Sequence, residues 1–262
     1  SYSWISTAEV IVNLGAKPVF VDIDKKTGLI NDLEIEKVIS KKTKAIIIVS
    51  LFGQVPNIKN INLISKKYKI PVIEDGAQSF GSKYKKKFSC NLTTIGCTSF
   101  FPTKSLGSYG DGGAIFTKDS KIQKICREIR LNGKNNKGVF NRIGVQGRLD
   151  TIQASVLLAK LSIFNKELKL RRRLASYYVK YIKEKMPNIE IIGLDKFSEN
   201  AWPTFNILTN KRNILRKFLN KKNISTKIYY EKPIPLYKPY KMYKYTSIKN
   251  SVDISKKILS LP

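Results

Sequence analysis

Residues 70–78 read IPVIEDGAQ, a short apolar run that ends in two carboxylates, a glycine and an amide. A similar run, KAIIIVSL, occupies residues 44–51 and is rich in β-branched side chains. Between them, residues 58–68 carry apolar side chains at the spacing of a helix that buries one face. Continuous apolar strands separated by a helix are typical of a parallel sheet covered on both faces. The stretch therefore predicts an α/β fold with polar groups at the end of a buried strand.

The same alternation extends outward in both directions. Apolar runs predict further strands at residues 18–23, 97–101, 114–117, 203–208 and 225–230. Periodic patterns predict further helices at residues 30–39, 150–185 (with one break near Asn165), 213–221 and 252–259. We expect a large three-layer domain with a mostly parallel sheet over residues 1–165. A small α+β domain is expected over residues 166–262.

The composition excludes several kinds of active site. Histidine is absent from the 262 residues, which excludes Ser-His-Asp and Cys-His catalysis and histidine metal sites. The three cysteines, Cys90, Cys97 and Cys126, form no CxxC pair. An odd and scattered set predicts free thiols, no metal centre and a reducing, cytoplasmic location.

The charge is strongly positive, with 49 Lys and Arg against 19 Asp and Glu and a formal net charge of +30. The lysines are scattered over every segment, as expected for solvated helix faces and turns. We therefore expect weak binding to polyanions at low salt and no specific nucleic-acid partner. No apolar run approaches the roughly 20 residues that cross a bilayer, so no membrane association is expected.

Three polar segments lie next to predicted strands: residues 74–78, 102–104 and 110–113. Because ligands of open α/β sheets bind at the carboxyl ends of strands, these segments are candidates for one site. Each has an ordinary alternative when taken alone. The carboxylate can be a helix cap, the lysine can be solvated, and the glycine-rich segment can be only a turn.

Taken together, the three segments suit pyridoxal phosphate (PLP). This cofactor needs a lysine for its aldehyde and a carboxylate against its pyridinium nitrogen. Lys104 and Asp75 have the right chemistry at strand ends, whereas Glu74 points to the other face of its strand. Trp4 is available to stack on the ring.

Several longer stretches then resemble the DegT/DnrJ/EryC1 family of PLP-dependent sugar aminotransferases. The resemblance implies PLP fold type I and runs over nearly the whole chain. Its most specific part is the pair EDGAQ and SFFPTKSLG followed by GDGGA. The matching stretches are residues 3–24, 44–54, 71–81, 95–117 and 142–161.

The resemblance implies roles for five residues at the cofactor. Lys104 matches the lysine that forms the Schiff base and moves the proton during the reaction. Asp75 matches the carboxylate at the pyridinium nitrogen, and Gln78 matches the residue at the phenolic oxygen. Trp4 matches the aromatic residue that stacks on the ring, and Ser99 matches a hydroxyl that binds the phosphate.

The resemblance also implies partners. Gln146 lies in a loop expected to reach the cofactor in a second subunit, so a homodimer is implied, and Arg148 and Tyr230 are assigned to the substrate. The substrates implied are a UDP-linked sugar of the 2-acetamido-3-oxo-glucuronate type and glutamate as amino donor. The product of such enzymes enters bacterial surface polysaccharide.

The chain starts inside the family pattern and stops at residues 259–262, LSLP, where the family continues. We expect a truncated form that lacks the family's N-terminal Gly-Thr turn and helix, which grip the phosphate. The alternative hypothesis is an inactive protein of the same fold with a binding or regulatory role. PLP titration distinguishes the two.

Overall fold

The computed structural model describes residues 1–194 and 197–262, and most of its helices and strands follow the apolar patterns of the sequence. The α-helices in these ranges are α1 (Ser6–Asn13), α2 (Ile58–Tyr68), α3 (Ser120–Arg130), α4 (Thr151–Lys185), α5 (Arg212–Lys221) and α6 (Lys249–Lys257). The strands are β1 (Ile46–Val49), β2 (Val72–Asp75), β3 (Lys83–Tyr84), β4 (Lys87–Phe88), β5 (Ile95–Ser99), β6 (Gly113–Phe116), β7 (Glu190–Ile192), β8 (Ser198–Glu199), β9 (Phe205–Leu208) and β10 (Ile258–Leu261).

The main sheet has the strand order β1-β2-β5-β6. Strands β1, β2 and β5 are parallel, and β6 is antiparallel to β5. Asp75 ends β2 and is paired in register with Val49 on one side and Cys97 on the other. The carboxyl ends of the three parallel strands therefore meet at one edge, which confirms the predicted α/β sheet and places Asp75 at its centre.

Helix α2 begins and ends as its sequence predicts. The Asn57 side chain caps the first turn by accepting from the Asn60 N–H, and Lys69 closes the last turn in a left-handed conformation at φ 54°. The apolar face packs under β1 and β2 through buried Ile58, Ile61 and Ile64.

Helix α4 runs unbroken for 35 residues, so the break predicted near Asn165 is wrong. The segment contains no glycine or proline, and a single asparagine costs a helix too little to interrupt it. Asp150 caps its start, with its Oδ1 accepting from the Ile152 N–H at 2.9 Å. Phe164 packs against the main sheet's core and Ile182 against that of the small sheet, so α4 joins both. None of the helices in the described ranges is long and apolar enough to cross a membrane.

The C-terminal part contains an antiparallel sheet in the order β10-β9-β7. All four residues of β9 are buried, as its central position requires. The strand predicted at residues 225–230 is reduced to a single bridge between Lys227 and Ser260. The helix predicted at residues 252–259 begins earlier, as α6, and its last residues instead enter the edge strand β10.

Two predictions near the start of the chain are also wrong. Residues 18–23 are extended but make only isolated bridges, Phe20 to Tyr245 and Ile23 to Ile30, because no described strand lies in register beside them. The helix predicted at 30–39 is replaced by two short 3₁₀ turns, Asp32–Glu34 and Glu36–Val38. The backbone hydrogen bonds of this segment join residues three apart, Ile35 to Asp32, Val38 to Ile35 and Ile39 to Glu36, which is 3₁₀ geometry and not that of an α-helix.

A buried carboxylate ties the first segment to the last helix. Asp22 accepts hydrogen bonds from the backbone of Asn250 (2.9 Å) and from both the backbone (3.0 Å) and hydroxyl (2.5 Å) of Ser251. These N–H groups belong to the first turn of α6, where no intrahelical partner exists for them. Asp22 therefore caps a helix that lies more than 220 residues away in sequence.

Candidate active site

Asp75 is the polar end of the central strand. Its Oδ2 accepts from the Thr7 hydroxyl at 2.7 Å, and its Oδ1 accepts from the Ala77 N–H at 3.1 Å. The next residue must be small, because a Cβ on Gly76 would lie 2.3 Å from the Cys90 sulfur. The sequence EDGA at residues 74–77 thus forms a tight turn that holds the Asp75 carboxylate in one orientation.

Glu74 points to the opposite face of the strand, as the alternation of side chains predicts. It is completely buried and accepts from the hydroxyls of Ser50 (2.8 Å) and Ser89 (2.6 Å) and from the Cys90 N–H (2.9 Å). These three donors occupy the carboxylate inside the protein. Glu74 is therefore a structural group that locks β2 in place.

Lys104 lies in a tight loop that follows β5. Its backbone N–H bonds to the Phe101 carbonyl at 2.9 Å. The far side of the loop is fixed by the Lys160 ammonium, which donates to the Gly107 carbonyl at 2.7 Å. The lysine is therefore presented from a loop that is held at both sides.

The Lys104 amine is close enough to the Asp75 carboxylate for the two charges to interact. Burial lowers the pKa of Lys104 below its usual 10.5, and the nearby Asp75 carboxylate partly opposes this shift. A lowered pKa means that more of the amine is neutral at a given pH than for a free lysine side chain. The burial of Lys104 therefore favours its use as a nucleophile and proton acceptor.

A chain of hydrogen bonds fixes the Gln78 amide. Its Oε1 accepts from the Phe52 N–H at 3.0 Å, so Nε2 is the end that faces the Tyr230 hydroxyl, to which it donates at 2.8 Å. One Nε2 proton is thus used, and the geometry leaves a second for a ligand. The Tyr230 ring lies 6.1 Å from that of Trp4, whose side chain is 58% exposed and offers a free aromatic face.

Ser99 lies on the same face of the sheet as Asp75. It stands two residues beyond Cys97, the residue paired with Asp75, so the period of the strand brings its side chain to the same side. Its hydroxyl oxygen accepts from the Phe101 N–H at 3.2 Å, in the loop that carries Lys104. Ser99 thus belongs to the rim of the same strand-end pocket.

Gln146 and Arg148 are placed differently. Both are exposed, in the segment that follows α3, and the Gln146 amide lies 2.9 Å from Asn132 Nδ2 and 2.7 Å from Arg148 Nη2. These contacts hold the two side chains against each other on the surface. The structure therefore groups Trp4, Asp75, Gln78, Ser99, Lys104 and Tyr230, and leaves Gln146 and Arg148 outside this group.

Two residues that support the pocket escape sequence reasoning. Thr7 contacts Asp75 across 68 positions, and Tyr2 contacts the backbone of Tyr230 across 228. Thr7 lies in the first turn of α1, where a threonine is usually explained by local capping. Tyr2 is buried in the core behind the pocket and does not line it. Neither contact leaves a local pattern that could have revealed it.

The three cysteines are closer together than their scattered positions predict. All three border one cavity of about 1340 Å³ beside β5 and β6, and none is in a disulfide. Burial raises the pKa of Cys90 to about 12 and that of Cys97 to about 11. Both thiols therefore stay protonated at neutral pH and behave as small apolar groups.

Comparison with known proteins identifies the family of the chain. Residues 1–262 match the model of the DegT/DnrJ/EryC1/StrS aminotransferase family. The chain is 44% identical over 240 residues to the UDP-2-acetamido-2-deoxy-3-oxo-D-glucuronate aminotransferase of Pseudomonas aeruginosa, covering 90% of this chain and 65% of the relative. It thus spans just under two thirds of the length of that enzyme.

Solved structures show the same fold. A DegT/DnrJ/EryC1/StrS aminotransferase from Brucella abortus superposes with a TM-score of 0.96 at 36% identity, covering 100% of this chain and 72% of that one. DesV of S. venezuelae, solved in complex with a ketimine intermediate, superposes with a TM-score of 0.95 at 27% identity, covering 100% and 71%. The predicted PLP fold type I architecture and the predicted family are confirmed.

Proposed function

Because the chain belongs to the DegT/DnrJ/EryC1/StrS aminotransferase family, we propose that it moves an amino group onto a nucleotide-linked keto sugar with PLP as cofactor. The observation that carries this proposal is the convergence of a half-buried lysine, an oriented carboxylate and an amide donor at the same edge of the sheet. Lys104, Asp75 and Gln78 supply these groups.

The residues of the pocket fit PLP. Lys104 would hold its aldehyde carbon, Asp75 its ring nitrogen and Gln78 its phenolic oxygen, with Trp4 against the ring and Ser99 toward the phosphate. Two features of the structure support the fit: the Gln78 amide keeps a donor proton for an oxyanion, and the Trp4 ring has an uncovered face. PLP when bound supplies an electron sink for the negative charge left on a carbon that loses a proton.

The chain's own residues account for the proton movements. A neutral Lys104 Nζ can accept a proton and return it to a neighbouring carbon, and its lowered pKa favours this at neutral pH. The Thr7 hydroxyl and the Ala77 N–H hold the Asp75 carboxylate in place by hydrogen bonds. Burial raises the pKa of Tyr230, so its phenol stays protonated beside Gln78.

The substrate we propose is a UDP-linked sugar with a ketone at carbon 3, of the 2-acetamido-3-oxo-glucuronate type, with glutamate as amino donor. Support comes from the 44% identity to the Pseudomonas aeruginosa enzyme that carries this substrate in its name. The net charge of +30 also favours a substrate with a diphosphate and a carboxylate. Arg148 and Tyr230 are the proposed substrate contacts. We propose that the reaction takes place in the cytoplasm and that its product is used to build surface polysaccharide.

We further propose a homodimer with shared active sites. The segment that follows α3 exposes apolar side chains that water does not favour, including Ile143, which is 98% exposed, and Phe140, which is 67% exposed. A second copy of the chain would cover them. It would also receive Gln146 and Arg148, which lie next to this apolar surface and outside the pocket of their own chain.

PLP titration followed by visible absorbance tests the cofactor site. We expect saturable binding with a shifted absorbance band in the wild-type protein and loss of the band in Lys104→Ala. Lys118→Ala removes an exposed lysine that follows β6 and should leave the band unchanged. A band that survives Lys104→Ala would show that another amine holds the cofactor. Absence of binding in the wild type would favour an inactive protein of this fold.

The substrate assignment has its own assay. The PLP-loaded protein is incubated with glutamate and the UDP-linked 3-oxo sugar, and release of 2-oxoglutarate is measured together with the mass of the sugar product. We expect a gain of an amino group on the sugar only when both substrates are present. A protein that binds PLP but aminates only sugars on another nucleotide would refute the UDP assignment and keep the aminotransferase assignment.

A further inference from the structure

Tyr2 is a core residue with one polar atom. Its side chain is 3% exposed and packs in an apolar cluster with Ile23, Leu51 and Ile254. A hydroxyl in such a place must be hydrogen-bonded, since an unpaired one is costly.

Both hydrogen bonds of the Tyr2 hydroxyl go to the backbone of one residue. It donates to the Tyr230 carbonyl at 2.8 Å and accepts from the Tyr230 N–H at 2.6 Å. Burial raises the pKa of Tyr2, so the phenol stays protonated at neutral pH and can donate. The two bonds fix the position of the Tyr230 backbone.

Tyr230 needs this support. It lies outside the helices and strands, and the nearest regular contact of its segment is the single bridge between Lys227 and Ser260. Yet its side chain sets the Gln78 amide through the 2.8 Å hydrogen bond to Nε2. Any freedom in the Tyr230 backbone would be passed to the amide that faces the pocket.

We propose that the Tyr2 hydroxyl is a positioning group of the active site, which acts through the Tyr230 backbone and phenol to orient the Gln78 amide toward the cofactor oxygen. This inference rests on the proposed function, and it deepens it by assigning a role to a residue that does not line the pocket. The role is assigned to the phenolic oxygen, which makes both hydrogen bonds; the Tyr2 ring also lies edge-on to the Tyr230 ring, with the centroids 6.0 Å apart.

Tyr2→Phe tests the role because it keeps the ring and deletes only the oxygen. We expect faster hydrogen exchange at the Tyr230 amide, a changed NMR signal of the Gln78 side-chain amide, and PLP binding weakened about tenfold, which is the effect of losing roughly one net hydrogen bond. Ile254→Val, in the same core cluster, is the matched control. It should lower stability while leaving the Gln78 signal and the PLP affinity unchanged.

A double-mutant cycle tests the route. Tyr230→Phe removes the phenol that reaches Gln78, so adding Tyr2→Phe to it should weaken PLP binding by less than threefold further. Full additivity of the two effects would overturn the proposed route through the Tyr230 phenol. An unchanged Gln78 signal in Tyr2→Phe would overturn the positioning role itself. Both differ from failure of the proposed function, which is the absence of PLP binding in the wild type.

Discussion

Lys104 differs from the many exposed lysines of the chain because it is partly buried beside a carboxylate. Burial lowers its pKa from 10.5 and Asp75 partly restores it, so the neutral amine appears at lower pH than in a free lysine side chain. We predict that the rate of acylation of Lys104, measured by peptide mass spectrometry, rises with pH with a midpoint below 10.5. Exposed Lys118 in the same digest provides the comparison peptide.

The Asp75→Asn variant tests the direction in which the Asp75 carboxylate changes the pKa of Lys104. Removing the carboxylate removes the influence that raises the pKa of Lys104, so the acylation midpoint should move to still lower pH. Asp111→Asn, an exposed residue in the glycine-rich segment, should leave it in place. A midpoint that moves upward in Asp75→Asn would contradict the shared pocket.

The sequence identifies the residues of the pocket better than it identifies the residues that hold them in place. Asp75, Gln78 and Lys104 follow strands that an apolar pattern reveals, and a family resemblance assigns their roles. Thr7 and Tyr2 could not be predicted, because each acts through a contact that closes a long loop of chain. Such contacts depend on the packed fold and leave no periodic signal in the sequence.

Among the elements, helix α6 depends on a cap supplied from the other end of the chain. Asp22→Ala removes the acceptor of three hydrogen bonds from Asn250 and Ser251 in a buried setting. We predict a loss of about 3 kcal/mol in the free energy of unfolding, since buried donors to a charged group lose their partner. Urea denaturation followed by circular dichroism measures this loss.

Glu184→Ala is the comparison for that measurement. Glu184 is an exposed charged residue near the end of α4, and surface changes of this kind usually stay within about 0.5 kcal/mol. An Asp22→Ala protein as stable as Glu184→Ala would show that the cap contributes little.

The accuracy of the predicted elements follows the length of their patterns. Helices α2 and α4 are long and periodic, and Asn57 and Asp150 cap their first turns, so the sequence locates them well. The segment at residues 30–39 has helical spacing but forms two short 3₁₀ turns in place of an α-helix. The residues at 225–230 have strand composition but lack a full partner strand. Pairing is a property of two segments, which one segment cannot reveal.

For the whole molecule, the net charge of +30 has a consequence that is independent of the active site. We predict weak binding to random duplex DNA at 50 mM salt that falls at least a hundredfold by about 200 mM, because most of the affinity comes from counterion release. Fluorescence anisotropy at several salt concentrations measures it. Binding that survives 200 mM salt with a preference for one sequence would contradict this expectation and indicate a specific nucleic-acid partner.

Fold and family are predictable at this scale because many short stretches agree in order along nearly the whole chain. The superposition on the Brucella abortus structure supports the fold, and the register of β2 and β5 supports it independently. That register brings the EDGAQ segment beside the strand that leads to Lys104. Association between subunits, unlike the fold, is not predictable from the pattern of a single chain. It depends on surfaces, such as the exposed side chain of Ile143, whose partner lies outside the chain.

The contacts between Tyr2 and Tyr230, and between Asp22 and Ser251, join residues separated by nearly the full length of the chain. During synthesis on a ribosome, the early half can form its parallel strands while the later half is still unmade. The nascent protein would then carry Asp75 and Lys104 without the clasp that completes their surroundings. Under the proposed function, uptake of the coenzyme would then wait until the residues around Tyr230 and Ser251 have been made and packed against the first segment.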